Sequence, residues 1–261
     1  MSHTWNVYEA ICQRRSVRRY KNEVLPQKLF HHILRFQEEI LPLDPGILTE
    51  WQVINAIEGK CPLKGHFLVK APYYLVLHSE DKPGAAKNAG YMMEQMVIFL
   101  TMKGIGTCYQ GAAKAPELSP GKKPQIVIAF GCGDEDRFRE EKKAGRKPAS
   151  ELCTWKEEGD KIARAVLQAL IASPSAMNRQ PWRFVYRKGC FHMFVKKSGR
   201  IERLTGGLKE VDCGIAMANG VLAAEEMWLD TRWFTEMNLK GKEFANLDYV
   251  ASLDLLHPKV L

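Results

Sequence analysis

The chain has 261 residues, 46% of them hydrophobic, 26% charged and 10% aromatic, a globular mixture that excludes disordered and collagen-like chains. Its length predicts about two folding units, with enough buried surface to stand without disulfide or metal staples. Thirty-eight Lys and Arg against thirty Asp and Glu give +8, enough to attract an anionic ligand but too mild by itself to imply a nucleic-acid partner.

In chain order, a first helix is expected around residues 5–13, with Trp5, Tyr8 and Ile11 at helical spacing. It runs into the cluster Arg14-Arg15-Ser16-Val17-Arg18-Arg19-Tyr20. Pro26 opens a second helix carrying Leu29, Phe30, Ile33 and Leu34, and Pro42 and Pro45 end it. Trp51–Ile57 and Tyr73–His78 read as strands, Gly90–Met102 as a buried helix, and Gln125–Phe130 as a third strand. Asp134–Lys147 is densely charged and reads as a solvated excursion between the units.

A helix over Asp160–Ala172 follows, then the polar segment Ser173 to Trp182 and a hairpin of Arg183–Arg187 with Cys190–Val195. The last long helix begins near Asp212, with Met217, Val221, Ala224 and Trp228 on one face. Gly104, Gly106 and Gly111 do not have the spacing of a dinucleotide-binding fingerprint, which disfavours a Rossmann domain.

Cys12, Cys61, Cys108, Cys132, Cys153, Cys190 and Cys213 are odd in number, widely spaced and without a CxxC pair. They predict free thiols in a reducing compartment and disfavour a zinc or iron–sulfur site. The N-terminus lacks a basic and apolar leader, and the runs 73–77 and 96–100 are too short to span a bilayer. The expectation is a soluble, cytoplasmic protein without a membrane partner.

The chain also repeats itself. A shift of 131 residues places Trp51-Gln52-Val53-Ile54 on Trp182-Arg183-Phe184-Val185 and superimposes the preceding helices. A shift of 124 places Gly90-Tyr91-Met92-Met93 on Gly214-Ile215-Ala216-Met217, each opening an apolar helix. Any two helix–turn–strand units share some likeness, but similar offsets at two places favour a duplication. Only the later copy has Ser175, Asn178 and Gln180 before its Trp strand; only the earlier one opens with Arg14, Arg15, Ser16 and Arg18. Each copy holds half of a candidate site.

The arginine cluster offers guanidinium forks and a hydroxyl suited to phosphate, or simply a basic helix end that complements the helix dipole. The Ser/Asn/Gln loop supplies donors and acceptors for the edge of a flat heterocycle, or a turn with local caps. Taken together, Arg14-Arg15-Ser16-x-Arg18 and Pro174-Ser175-Ala176-x-Asn178-x-Gln180-Pro181-Trp182 resemble the hallmark segments of the FMN-dependent nitroreductase superfamily. Lys103–Gly111 resembles the stretch that family places beside the flavin ring, and Gly145–Pro148 its later basic segment. The likeness spans most of residues 5–235. It departs in order, because the two hallmark segments lie roughly 160 residues apart.

The resemblance implies an α+β nitroreductase-like fold. Family members pair as intertwined homodimers with FMN at the interface, so the repeat implies two homologous α/β halves, 1–150 and 151–261, fused into a pseudo-dimer. Members of a putative nitroreductase subgroup look like this arrangement. By the same resemblance, Arg14, Arg15, Ser16 and Arg18 hold the FMN phosphate, with Arg146 or Lys147 adding charge. Pro174, Ser175, Ala176 and Asn178 line the isoalloxazine, and Gln110 and Gly111 lie near flavin N5.

Residues between Lys60 and Lys70, and between Arg200 and Val211, are candidates to cover the flavin. Hydride would pass from NADH or NADPH through N5 to a nitroaromatic or quinone acceptor, with no protein nucleophile. Cys108 is expected to be a buried, inert thiol, and Trp182 a core residue. A non-catalytic FMN-binding or sensor protein on the same fold is the alternative. The pseudo-dimer would be monomeric, with no nucleic-acid partner.

Overall fold

The structure, a computed structural model, describes residues 5–57, 59–65, 67–111, 113–134, 145–197, 207–239 and 246–255. Most of the charged stretch expected between the two units lies outside the described residues. The elements are α1 (Val7–Gln13), α2 (Gln27–Glu39), β1 (Thr49–Asn55), β2 (Tyr73–Glu80), α3 (Ala85–Met102), β3 (Gly106–Tyr109) and β4 (Lys122–Gly131). They continue with α4 (Ala149–Leu152), β5 (Cys153–Trp155), α5 (Lys161–Ala172), β6 (Trp182–Arg187), β7 (Cys190–Lys196), α6 (Leu208–Glu226), β8 (Trp233–Phe234) and β9 (Leu247–Asp254). No helix among the described residues is long and apolar enough to cross a membrane.

The strands form two sheets, ordered β1-β2-β4-β3 and β5-β6-β7-β9-β8. All pairs are antiparallel except β5 with β6, so β6-β7-β9-β8 repeats the order and sense of β1-β2-β4-β3. Period-two patterning divides the first sheet into two faces. Tyr73, Leu75, Leu77, Ile126, Ile128 and Phe130 join α2 and α3 in one core, while Tyr74, Val76, Val127 and Ala129 face the other way. In the second sheet Trp182, Phe184, Phe191, Met193 and Leu253 pack with α5 and α6.

The helices follow from their ends and their apolar faces. Asn6 and Glu9 form a reciprocal capping box on α1, and Asp160 caps α5 through the Ala163 N–H at 2.8 Å. Met217, Val221 and Ala224 are buried on α6 as predicted, but Trp228 lies beyond the helix end and is exposed. Helix α3 begins five residues earlier than its apolar pattern suggested. Strands β3, β5, β8 and β9 were not predicted from the sequence.

Helices α3 and α6 cross at two glycines. A Cβ on Gly90 would sit 2.3 Å from the Val211 carbonyl oxygen, and one on Gly214 would sit 2.0 Å from the Lys87 carbonyl oxygen. The shift of 124 exchanges these contacts: Gly90 becomes Gly214 and Lys87 becomes Val211. Two hydrogen bonds have counterparts in the same way. Asn88 Oδ1 accepts the Asp44 N–H at 3.0 Å, and Asp212 Oδ1 accepts the Ala176 N–H at 2.9 Å. Gln95 bonds Leu41 just past α2, and Asn219 bonds Ser173 just past α5. Ala10 and Ile11 of α1 do not pack with the first sheet. They join the core built mainly from residues after 150.

Candidate functional site

The arginine cluster starts where α1 stops. At Arg14 the backbone turns extended, and the Val17 N–H then bonds the Thr107 carbonyl at 2.9 Å, laying residues 16–17 along β3. Arg14 is only 3% exposed, and its Nη1 finds no hydrogen-bond partner among the described residues. A buried guanidinium edge left bare in this way is costly, so it points to a ligand. Arg15 and Ser16 are half-buried, and Arg18 is exposed.

Glu94 of α3 has no exposed surface and lies within electrostatic reach of Arg14. Its carboxylate accepts a 2.5 Å bond from the Tyr109 hydroxyl and a 3.1 Å bond from Asn219 Nδ2. Burial drives the Glu94 carboxyl up from the usual range, while Arg14, the two hydrogen bonds and Arg146 pull it down. Burial and the Glu94 charge likewise push the Tyr109 phenol well above its ordinary value. Arg14 and Arg146, far apart in sequence, thus act on one carboxyl group.

The polar loop is tightly held. Helix α5 ends at Ser173, and a short 3-10 turn follows at Ala176–Asn178. Met177, Asn178 and Gln180 all have φ near +50°, a conformation that side chains other than glycine rarely adopt. Hydrogen bonds oppose this strain: Ser175 Oγ accepts the Gln180 N–H at 2.9 Å, and Asp212 holds the Ala176 N–H. Burial raises the Asp212 carboxyl to about 7, against the opposing pull of that N–H and of Arg179.

Segment 145–148 closes on the same loop. Arg146 donates to Asn178 Oδ1 and, at 2.9 Å, to the Ala172 carbonyl; Asn178 Nδ2 donates to the Gly145 carbonyl. Gln180 accepts the Lys147 N–H at 2.9 Å. The structure therefore joins Ser175, Ala176 and Asn178 to Arg146 and Lys147, and links this group to Arg14 through Glu94, Asn219 and Ser173. Both ends of the Asn178 amide are taken up by that anchoring, and Lys147 Nζ pairs with Glu151.

Gln110 is buried with its amide spent on backbone, accepting from the Val69 N–H and donating to the Cys108 carbonyl, both at 2.9 Å. Gly111 is exposed, and a Cβ there would lie 3.7 Å from Leu208 at the start of α6. Pro174 is buried. Cys108 is buried with its thiol raised, and Trp182 is fully enclosed in the core. Residues 60–65 and 67–70 lie over the outer face of the first sheet, while 200–206 fall outside the described residues. Glu94, Tyr109, Asp212 and Asn219 escaped the sequence reading. The shift of 124 held the signal, because it sets Asn88 against Asp212 and Glu94 against Ala218.

None of the seven cysteines is in a disulfide, and no cluster of His, Cys, Asp or Glu among the described residues could hold a metal ion. None of the curated proteins compared matches the chain. Among solved structures, a putative nitroreductase from Thermotoga maritima MSB8 matches with a TM-score of 0.68 at 22% identity, over 98% of this chain and 96% of that one. A nitroreductase family protein from Clostridium difficile 630 matches with a TM-score of 0.47 at 14% identity, over 59% and 100%. A nitroreductase with bound FMN from Bacteroides fragilis NCTC 9343 matches with a TM-score of 0.42 at 17% identity, over 56% and 98%. The family model described as "Putative TM nitroreductase" matches residues 6–224, most of the chain, and the protein belongs to that family.

Proposed function

We propose that this protein is an FMN-dependent oxidoreductase. It carries reducing equivalents from NADH or NADPH to a small electron-poor acceptor of nitroaromatic or quinone type. The observation that carries the reading is the buried Arg14 guanidinium with its Nη1 bare, in a family of nitroreductases. A phosphate oxygen suits that donor: it is anionic and accepts charge-assisted hydrogen bonds.

In this reading Arg14, Arg15, Ser16 and Arg18 hold the phosphate, and Arg146 and Lys147 add positive charge from the other side. Pro174, Ser175, Ala176 and the backbone around Asn178 line the ring, and Gln110 and Gly111 lie near its reactive nitrogen. FMN, when bound, supplies the hydride chemistry. The chain's own residues bind, orient and exclude water. Asp212 fixes the loop through the Ala176 N–H, and Arg146 locks it through Asn178.

The same proposal treats residues 1–150 and 151–261 as fused halves of a pseudo-dimer with one composite site. Its support is the matching strand order, the exchanged glycine contacts and the paired hydrogen bonds. In an isologous pair, residue i touches j while j touches i, which is the pattern of Gly90–Val211 and Gly214–Lys87. The proposed assembly is a monomer that already contains both halves.

Purified protein should be yellow and bind one FMN per chain by absorbance titration; two per chain, or none, would overturn the composite site. Arg15→Ala should weaken FMN binding by about ten- to a hundredfold, the cost of one charge-assisted contact. NAD(P)H oxidation with menadione or nitrofurazone as acceptor tests turnover. A yellow protein without turnover would remove the enzymatic part of the reading.

A further inference from the structure

The two sheets differ in how their first hairpin is closed. Strands β6 and β7 are joined by Lys188 and Gly189 alone, both with positive φ, a tight primed turn. The matching strands β1 and β2 are joined by everything from Ala56 to Pro72. Connections longer than about 12–15 residues are uncommon in compact domains unless they serve a function. Since β6 and β7 show that this hairpin needs only two residues, the long connection calls for another explanation.

The connection folds over the outer face of the first sheet, where its Val69 N–H also reaches the buried Gln110 amide at 2.9 Å. Leu63 packs into the cluster with Tyr74, Val76, Cys108, Val127 and Ala129. Lys64 and Lys114 exchange backbone hydrogen bonds at 2.9 and 2.6 Å. The Tyr74 hydroxyl donates to the Val69 carbonyl at 2.8 Å and accepts the Ala71 N–H at 3.1 Å. Anchored this way, the connection leaves a cavity of about 410 Å³ between itself, β2 and the chain segment after the arginine cluster. That volume lies within the range of small-molecule sites.

The lining has a definite chemistry. Tyr20, Pro72 and Tyr74 supply ring and apolar surface, Cys61 a half-buried thiol, and Lys21 and Lys70 two exposed ammonium groups. No carboxylate is among the lining residues, and neither lysine pairs with one among the described residues. Gly131 lets the wall close: a Cβ there would come within 2.6 Å of the Pro72 ring and 3.3 Å of Tyr20, and its φ of +159° suits glycine. None of these residues belongs to the proposed FMN site.

We infer that this cavity is a second binding site, for a small anion carried on an aromatic ring. The ring lies against Tyr20, Tyr74 and Pro72, and its carboxylate or phosphate meets Lys21 and Lys70 at the mouth. Cys61 gives a direct readout, because a ligand in the cavity shields its thiol. Peptide mass spectrometry would follow iodoacetamide labelling of Cys61 in the intact chain with benzoate, phenyl phosphate or neutral benzyl alcohol present, with Cys12 and Cys190 as internal controls.

At least one of the two anions is expected to slow Cys61 labelling several-fold while the alcohol and the control thiols stay unchanged. Which anion acts distinguishes a carboxylate from a phosphate ligand. The Lys21→Ala/Lys70→Ala variant should need about fivefold more anion for the same protection, as two solvent-exposed charges allow. The change touches exposed side chains only, so the variant should melt like the parent. Cys61 labelled at the same rate with either anion would overturn the site. So would equal protection by the alcohol, or undiminished protection in the lysine variant. FMN binding is read separately by its absorbance, so failure here leaves the FMN proposal standing, and the converse also holds.

Discussion

Helices α3 and α6 do the same architectural work with different side chains. Asn88 on α3 catches the loop ahead of β1 with an amide; Asp212 on α6 catches the loop ahead of β6 with a carboxylate. Gln95 and Asn219 each tie down the end of the preceding helix. The likeness fails at Glu94, whose counterpart is Ala218. A helix pair that packs well with alanine at one of two equivalent places has no structural need for a buried carboxylate at the other. In the proposed pseudo-dimer this buried glutamate stands on one side alone, the side whose carboxyl group feels both Arg14 and Arg146.

The largest expected effect tests the amide against the carboxylate. Asp212 has its folded-state carboxyl raised to about 7, so the folded protein keeps a proton that the unfolded chain has released. Its stability is therefore full below the ordinary aspartate range and declines as pH rises through 7, by up to about 4 kcal/mol. Asp212→Asn, which copies Asn88, should remove most of that decline. Urea melts of both proteins between pH 4 and 8 measure it, and parallel curves would show that the two caps are equivalent after all.

Next comes the helix crossing. Gly90→Ala and Gly214→Ala each force a methyl against opposing backbone, and each should cost about 3 kcal/mol. Equal losses in chemical denaturation would support the exchanged contacts, whereas a neutral result at either glycine would break the symmetry. A smaller difference separates the two helix ties. Asn219→Ala leaves Glu94 and Ser173 short of a buried donor and should cost about 2 kcal/mol, while Gln95→Ala, at a half-buried site, should cost about 1 kcal/mol. Thermal melts of both variants would rank them.

Helix α2 was legible by its apolar stripe, and β2 and β4 as short continuous apolar runs, because both faces of those strands are buried. β9 was not, although its Val250, Ala251 and Leu253 face the core, because it opens on the mixed run Leu247-Asp248-Tyr249 rather than on an apolar one. Within the site, charged and loop residues stood out by type: Arg14 and the Ser175–Asn178 loop. Glu94 and Tyr109 did not, since a lone acid in an apolar helix and a tyrosine after a cysteine look ordinary until the fold brings them within 2.5 Å. The use of Asn178 to anchor Arg146, and of Gln110 to bind backbone, depends on tertiary geometry that spacing cannot convey.

The position of α1 has a consequence for how the protein is made. Ala10 and Ile11 share a core with Leu167, Leu170 and Met217, which follow them by roughly 160 to 210 residues. At about 5–20 residues per second, some ten to forty seconds of synthesis separate α1 from the end of α6. During that interval the helix can pack on α3 through Ile98 but lacks the larger part of its core. Pairing across such a sequence distance also slows folding after release. The packing of α1 is therefore completed only after the last long helix is made, and variants that weaken it are expected to show first as poor yield in the cell rather than as lost activity.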